Sequence, residues 1–348
     1  MKTEHFYDLS LPRLKELVAH LGHKPFRAKQ LWHHAYEHRS WGFSEATDLP
    51  DKLVADLSEK VPLKTAKIIK RLDSSDGDTS KVLLDMSGDS VEAVSIAAPS
   101  RRTACISSQV GCDLGCRFCA SALGGKVRDL SSAEILEQFV AVNSLENDSL
   151  THVVMMGMGE PLLNYEQVVR ALKMLVCPEH FGLSRRRITL STVGVVQGID
   201  ALAGERLGIN LAISLHASSQ EQRVRIVPSA AKWHFDDIIR AAERYHSETG
   251  RQVTFEYCLL GRLNDSPEDA EKLGEQLSGK GFAVNVIPYN PVSGRDYERP
   301  AAQSTEKFAQ VLREHVSAVM IRREKGTDIA AACGQLRADK GGECASQK

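Results

Sequence analysis

No apolar run in this chain approaches the roughly 20 residues needed to span a bilayer, so the sequence holds no candidate transmembrane helix. The stretch MKTEHFYDLSLPRLKEL is charged throughout and lacks the apolar core of a secretory signal. Both absences point to a cytoplasmic protein. Charge of one sign is missing too: 44 Lys and Arg stand against 45 Asp and Glu, a net charge of −1. That balance excludes a non-specific nucleic-acid coat, which would be strongly basic. Local basic clusters do occur, KTAKIIKR at 64–71, SRRR at 184–187 and IRREK at 321–325, and each taken alone reads as a solvated face. There is no low-complexity tract and no short internal repeat. What remains is an ordinary globular mixture, 42% hydrophobic and 26% charged, in 348 residues. That length suffices for one large domain plus a smaller one.

Residues 1–62 read as helices. SLPRLKELVAHLG spaces its apolar residues helically, with Pro12 near the start and Gly22 at the end. FRAKQLWHHAYEHR carries His33, His34 and His38 with no cysteine nearby, which favours a solvated helix face over a metal site. Residues 63–100 change character: TSKVLLDM and SVEAVSIAA are short β-type runs around SGD, which suggests a small hairpin or meander linking the helical domain to the rest. From 101 to 325 strand-like runs (TACISSQ, HVVMMG, RITLST, INLAISLH, QVTFEYCLL, AVNVIPYN, AVMIRR) alternate with helical patterns. Among the latter is SSAEILEQFVAVNSL, where Ser131 and Glu134 have the spacing of a capping box. The alternation predicts an α/β fold, a partial (β/α) barrel with a small N-terminal helical domain. Residues 326–348 form a separate C-terminal segment. In barrels of this kind the site lies at the carboxyl ends of the strands. The polar motifs GMGEP, STVG, SLH and YNP all fall there.

Four of the eight cysteines lie in CISSQVGCDLGCRFC, residues 105–119. In a cytoplasmic chain such a cluster suggests metal ligands or catalysts, not structural disulfides. Cys112, Cys116 and Cys119 follow a C-x3-C-x2-C spacing, one thiolate short of the four that a structural zinc site or a 4Fe-4S cluster normally takes. A cluster held by three keeps one iron open, able to bind the amino and carboxylate groups of S-adenosylmethionine. Zinc with a distant fourth ligand, His216 or Cys105, is the competing reading, and an accidental cluster of cysteines is another. Phe118 is placed to stack on an adenine. Cys177, Cys258 and Cys344 read as incidental, whereas Cys333, in DIAAACGQL, sits among small residues suited to moving a thiol.

At these residues the chain resembles the radical S-adenosylmethionine enzymes, and within them the RlmN-type RNA methyltransferases. The matching stretches are FRAKQLW, CISSQVGCDLGCRFC, MMGMGEPLLN, STVGVV, LAISLHA, IPYNPV and RREKGTDIAAACGQL, which cover nearly the whole chain. Val110 and Pro161 stand where the related Cfr-type enzymes tend to carry Cys and Ala. The segment RIVPSAAKW lacks the Asn-containing PIN stretch common in the family, which bears on substrate range.

The resemblance implies a 4Fe-4S cluster on Cys112, Cys116 and Cys119 and two S-adenosylmethionine molecules per turnover. It implies a cofactor pocket of Gly159, Glu160, Ser191, Ser214, Leu215, His216 and Asn290. It implies methylation of carbon 2 of adenosine 2503 in 23S rRNA and of adenosine 37 in some tRNAs. Cys333 would take a methyl group as a nucleophile, a radical would remove one of its hydrogens, and the carbon would join the base. Glu92 would accept the ring proton, and Cys105 would release the product by forming a disulfide with Cys333. Lys24, Arg27 and Lys29 would grip RNA phosphates. The expected partners are these RNAs and a reductant such as flavodoxin, with the chain a monomer away from membranes. The other readings are methylation at carbon 8, a radical enzyme on another substrate, and a zinc-stabilised RNA-binding module without catalysis.

Overall fold

The computed structural model describes residues 4–145 and 149–337. The N-terminal unit has three helices, α1 (Leu11–His20), α2 (Arg27–Tyr36) and α3 (Asp51–Lys60). Ser10 caps α1 by accepting from the Arg13 amide, and Pro12 occupies its first turn, where a missing N–H costs nothing. An aromatic cluster of Phe6, Tyr7, Trp32, Tyr36 and Phe181 ties this unit to the rest of the chain. The buried Glu137 carboxylate reinforces that join. It lies 2.7 Å from His5 Nε2 and accepts from the Ala66 amide at 3.0 Å.

The strands and the remaining helices follow in chain order as β1 (Lys67–Asp73), β2 (Thr79–Met86), β3 (Asp89–Ala98), β4 (Arg101–Cys105), β5 (Gln109–Gly111), β6 (Lys126–Asp129), α4 (Ser132–Asn143), β7 (His152–Met155), α5 (Tyr165–Val176), β8 (Ile188–Thr192), α6 (Val196–Gly204), β9 (Asn210–Ser214), α7 (Gln220–Ile226), α8 (Phe235–Thr249), β10 (Val253–Leu259), α9 (Pro267–Leu277), β11 (Ala283–Pro288), α10 (Ala302–Arg313) and β12 (Ala318–Ile321). Ten strands form one sheet in the order β1-β2-β3-β4-β7-β8-β9-β10-β11-β12, with β5 and β6 as a separate ribbon. From β4 to β12 every pairing is parallel, as the alternation of strands and helices requires. The sheet stays open between β1 and β12, a partial barrel.

Of the hairpin or meander expected at 63–100, the second is what forms. It is a three-stranded antiparallel meander that extends the parallel sheet, with Val94 paired to Cys105 across β3 and β4. KTAKIIKR, read as a solvated face, supplies the exposed edge strand β1. An edge strand dotted with lysines resists pairing with another chain.

The helices bury the faces that their apolar spacing dictates. On α5 these are Val168, Val169, Ala171, Leu172 and Leu175; on α8 they are Ile238, Ile239, Ala241, Ala242 and Tyr245. The Ser131–Glu134 capping box forms as its spacing foretells. Helix α4 is buried on nearly all sides, between the N-terminal unit and the sheet. The central strand β10 is buried on both faces, which its run of apolar residues reflects. Among the described residues no helix is long and apolar enough to cross a membrane.

Candidate active site

At the carboxyl ends of β4 and β7–β12 the connecting loops surround a cavity of about 940 Å³, part of it open to solvent. Cys112, Cys116 and Cys119 line it. Their loop is shaped by glycines: Gly111 has φ +74°, and a Cβ there would lie 1.9 Å from the Gly125 carbonyl oxygen. The Cys112 amide donates to that same oxygen at 3.1 Å. Burial pushes the Cys112 thiol up to about 11 and Cys116 well above the ordinary value. Left to themselves these groups stay neutral; a bound metal centre would hold them as thiolates.

Among the described residues no three His, Cys, Asp or Glu side chains converge closely enough to share one metal ion. Cys105, the candidate fourth ligand, does not line this cavity. It lines a smaller adjoining one, of about 400 Å³. His216 does line the large cavity, but its Nδ1 accepts from the Cys258 amide at 3.0 Å.

GMGE places Gly159 and Glu160 in the lining of the same cavity. Gly159 has φ +96°, and a Cβ would come within 2.5 Å of Gln109, so the close approach requires glycine. Glu160 is 2% exposed and accepts from the Val193 amide at 2.7 Å and the Leu162 amide at 3.0 Å. Burial dominates and pushes its carboxyl up to about 7, despite those two bonds and a third from the Thr192 side chain. A carboxylate in that position calls for a cation, and the amino group of an amino acid supplies one. His216, with φ +60°, is held neutral by burial and by the nearby Arg223, which lower its value to about 3. Because Nδ1 accepts, Nε2 carries the hydrogen. The Phe118 ring meets the His216 ring edge-on at 4.7 Å.

Ser191, Ser214 and Asn290 also line the cavity. Leu215 does not: it is fully buried, its amide donates to Glu256 O and its carbonyl accepts from Arg223. Any part it takes in the pocket is to shape the backbone beneath.

Two buried side chains that the sequence did not reveal hold these loops in place. The Arg223 guanidinium, fully buried, donates to the carbonyls of Val193, Leu215 and Trp233, joining the loops after β8 and β9. Asn264 donates to His216 O and Cys258 O, both at 2.8 Å, and accepts from the Leu260 amide. In the sequence both look like ordinary polar residues. IRREK is a solvated face only at Arg323 and Glu324. Arg322 turns into the site and lines both cavities, and Lys325 binds Asp78 and the Ala97 carbonyl. Cys258, taken as incidental, is buried in the large cavity's wall together with Glu256.

Cys333 lies between the two cavities and lines both, exposed to them. The Asn290 side chain donates to its carbonyl at 3.3 Å, and the Ala120 amide donates to Gly334 O at 2.7 Å. Desolvation raises its thiol above the ordinary value, opposed by the Arg322 guanidinium. Cys105 is buried and pushed up to about 12 by desolvation and then by Cys333. All seven described cysteines are free thiols, so the expected Cys105–Cys333 disulfide is not formed here; Cys344 lies outside the described residues. Glu92 lines neither cavity; it is buried beneath the segment that carries Cys333. Lys24 and Lys29 are exposed, but Arg27 is committed to Gln30 and the Asp48 carbonyl. His33 pairs with Glu37 and His34 with Asp48, the solvated helix face expected.

The radical SAM superfamily model matches residues 106–274, and the N-terminal domain model of the ribosomal RNA large subunit methyltransferases matches residues 5–63. A probable dual-specificity RNA methyltransferase RlmN from Rhodopirellula baltica is 43% identical over 98% of this chain and 92% of its own length. The ribosomal RNA large subunit methyltransferase N of Nitrosopumilus maritimus is 41% identical over 96% of this chain and 98% of its own. The crystal structure of a radical SAM methyltransferase from Sphaerobacter thermophilus superposes with a TM-score of 0.92 at 40% identity, covering 97% of this chain and all of that one. With a three-thiol loop, a buried carboxylate in the same cavity and these relatives along nearly its full length, the chain belongs to the RlmN family of radical S-adenosylmethionine RNA methyltransferases, whose cofactors are a 4Fe-4S cluster and S-adenosylmethionine.

Proposed function

We propose that this protein methylates carbon 2 of adenosine in RNA, at adenosine 2503 of 23S rRNA and adenosine 37 of some tRNAs, through a methyl group carried on Cys333. One observation carries the reading: Cys333 arrives on a separate segment and opens into the same cavity as Cys112, Cys116 and Cys119. Those three thiols would hold the cluster. Glu160 would bind the amino group of S-adenosylmethionine, with Gly159, Ser191, Ser214, His216 and Asn290 completing the pocket around the Leu215 backbone. When bound, the cluster and S-adenosylmethionine supply radical chemistry that can remove a hydrogen from a methyl group.

The chain's own residues account for the rest. Carbon 2 of adenine is electron-poor and does not attack a sulfonium methyl, so the methyl group first goes to the Cys333 thiolate, a competent nucleophile that breaks the sulfonium S–CH3 bond and releases S-adenosylhomocysteine. Once its carbon is joined to the base, Glu92 takes the ring proton. The Cys105 thiol then attacks Cys333 Sγ: the S–S bond forms, the S–C bond breaks with its electron pair left on carbon, and carbon takes up the thiol's proton to become methyl, while the single electron left by the radical addition would pass back to the bound cluster. Burial keeps Cys105 a protonated thiol at rest, which holds off a premature disulfide. The exposed Arg185, Arg186 and Arg187, with Lys24 and Lys29, offer charge to RNA phosphates. The enzyme works as a cytoplasmic monomer with a reductant such as flavodoxin.

The test is to incubate the anaerobically reconstituted protein with reductant, S-adenosylmethionine and unmodified 23S rRNA or tRNA fragments, then analyse the nucleosides by mass spectrometry. The expected product is 2-methyladenosine from wild type and none from Cys333→Ala. Finding 8-methyladenosine would move the activity to the Cfr-type side. Finding 5′-deoxyadenosine without methylated RNA would overturn the substrate.

A further inference from the structure

Lys81 on β2 and Glu92 on β3 belong to antiparallel neighbours, in which Lys81 pairs with Val94 and Leu83 with Glu92. Their side chains are each 8% exposed, and Lys81 Nζ lies 2.9 Å from Glu92 Oε1. An ion pair taken this far out of water needs its remaining donors and acceptors satisfied. Here the C-terminal segment satisfies them. Lys81 Nζ donates to Ala330 O at 3.0 Å, and the Arg337 amide donates to Glu92 Oε2 at 2.7 Å. Ala330 and Arg337 flank Cys333 on either side, so one buried pair grips both ends of the stretch that carries the thiol. That stretch contains one strained residue, Ala330 at φ +50°, a left-handed conformation that an alanine rarely adopts unless its surroundings impose it. Neither Lys81 nor Glu92 lines either cavity.

We propose that Lys81 is a positioning residue for the reaction: with Glu92 it forms a charged clasp that seats Cys333 over the cavity. Building on the reading of Glu92 as proton acceptor, the clasp also has a release. A carboxylate that takes the substrate's proton becomes a neutral acid. Lys81 then loses its counter-charge and the Arg337 amide loses a charged acceptor. The hold on the Cys333 segment weakens at the stage when Cys333 has to meet Cys105.

Hydrogen exchange read by mass spectrometry tests the clasp on the cluster-loaded full chain. The reporters are the segment's own bonded amides, such as Ala331 to Gly326 O and Gln335 to Ala332 O. Lys81→Met and Glu92→Gln, the latter imitating protonated Glu92, are each expected to raise exchange across 330–337 about tenfold, the worth of one hydrogen bond to a charged group. Peptides from β7 and α5 should exchange as in wild type, and Lys81→Arg should restore protection. The double variant Lys81→Met/Glu92→Leu removes both buried charges and is expected to recover the melting temperature while the segment stays fast. Wild-type exchange in Lys81→Met overturns the clasp. So does protection that returns together with the melting temperature in the double variant, since that is what a purely structural pair would give. A wild-type protein that makes no 2-methyladenosine would sink the proton-acceptor reading, and the exchange data would still decide the clasp.

Discussion

Glu160→Gln is the perturbation whose size the structure sets most directly. Burial raises the carboxyl from 4.5 to about 7 in the folded protein. The folded chain therefore holds this proton more tightly than the unfolded chain does. Its stabilising contribution is complete below pH 4.5, declines as pH rises from 4.5 to 7, and is gone above that. At 1.36 kcal/mol per pKa unit the decline amounts to about 3 kcal/mol. A glutamine at this site does not titrate and should show none of that decline. The variant has its own constant cost, because its NH₂ replaces one of the two oxygens that accept from Leu162 and Val193. An unmade bond of that kind costs about 1–3 kcal/mol, but it does so at every pH. The assay is urea unfolding of ligand-free wild type and variant from pH 4.5 to 8. The difference in unfolding free energy between them should change by about 3 kcal/mol across that range, in favour of the variant at high pH. Parallel curves would refute the claim that Glu160 is buried without a counter-charge and waits for a cation. Calorimetry completes the test: S-adenosylmethionine binding to wild type near pH 6.5 should release a proton, and binding to the variant should weaken by tenfold or more.

Gly111→Ala should cost the cluster without unfolding the protein. At φ +74° and 1.9 Å from the Gly125 oxygen the added methyl cannot fit, so iron and sulfide content should fall while the far-ultraviolet dichroism stays near wild type. Arg223→Met strands the carbonyls of Val193, Leu215 and Trp233 inside the protein. The expected loss is about 2–4 kcal/mol of unfolding free energy, with S-adenosylmethionine affinity falling alongside; a change under 1 kcal/mol would show that the loops hold themselves.

Local patterns recovered much of this molecule. YEQVVRALKMLV is helix α5 to the residue, and each strand-like run from 101 onward became a strand. Helical spacing, capping pairs and β-branched runs act over neighbouring residues, so they are legible in order. Helices α6 and α7 and strands β1, β5 and β6 leave no clear periodic signal, being short or carrying mixed patterns. The meander at 67–98 was legible as strands but not as an extension of the main sheet, because sheet membership depends on which distant backbone is left to pair with.

The sequence by itself determined the chemistry: three thiols at C-x3-C-x2-C, a glycine-flanked carboxylate in GMGEP and a separate thiol in ACGQL. Those assignments rest on residue type and short spacing, which folding does not alter. Only the tertiary structure decided how these parts meet. It separated Cys105 from the three-thiol cavity and turned Arg322 inward from a stretch that reads as solvated. It gave the silent Arg223 and Asn264 the work of tying the loops, and it placed Glu92 with Lys81 under the Cys333 segment. Each of these rests on contacts between residues far apart in the chain, made when burial forces every polar group to find a partner.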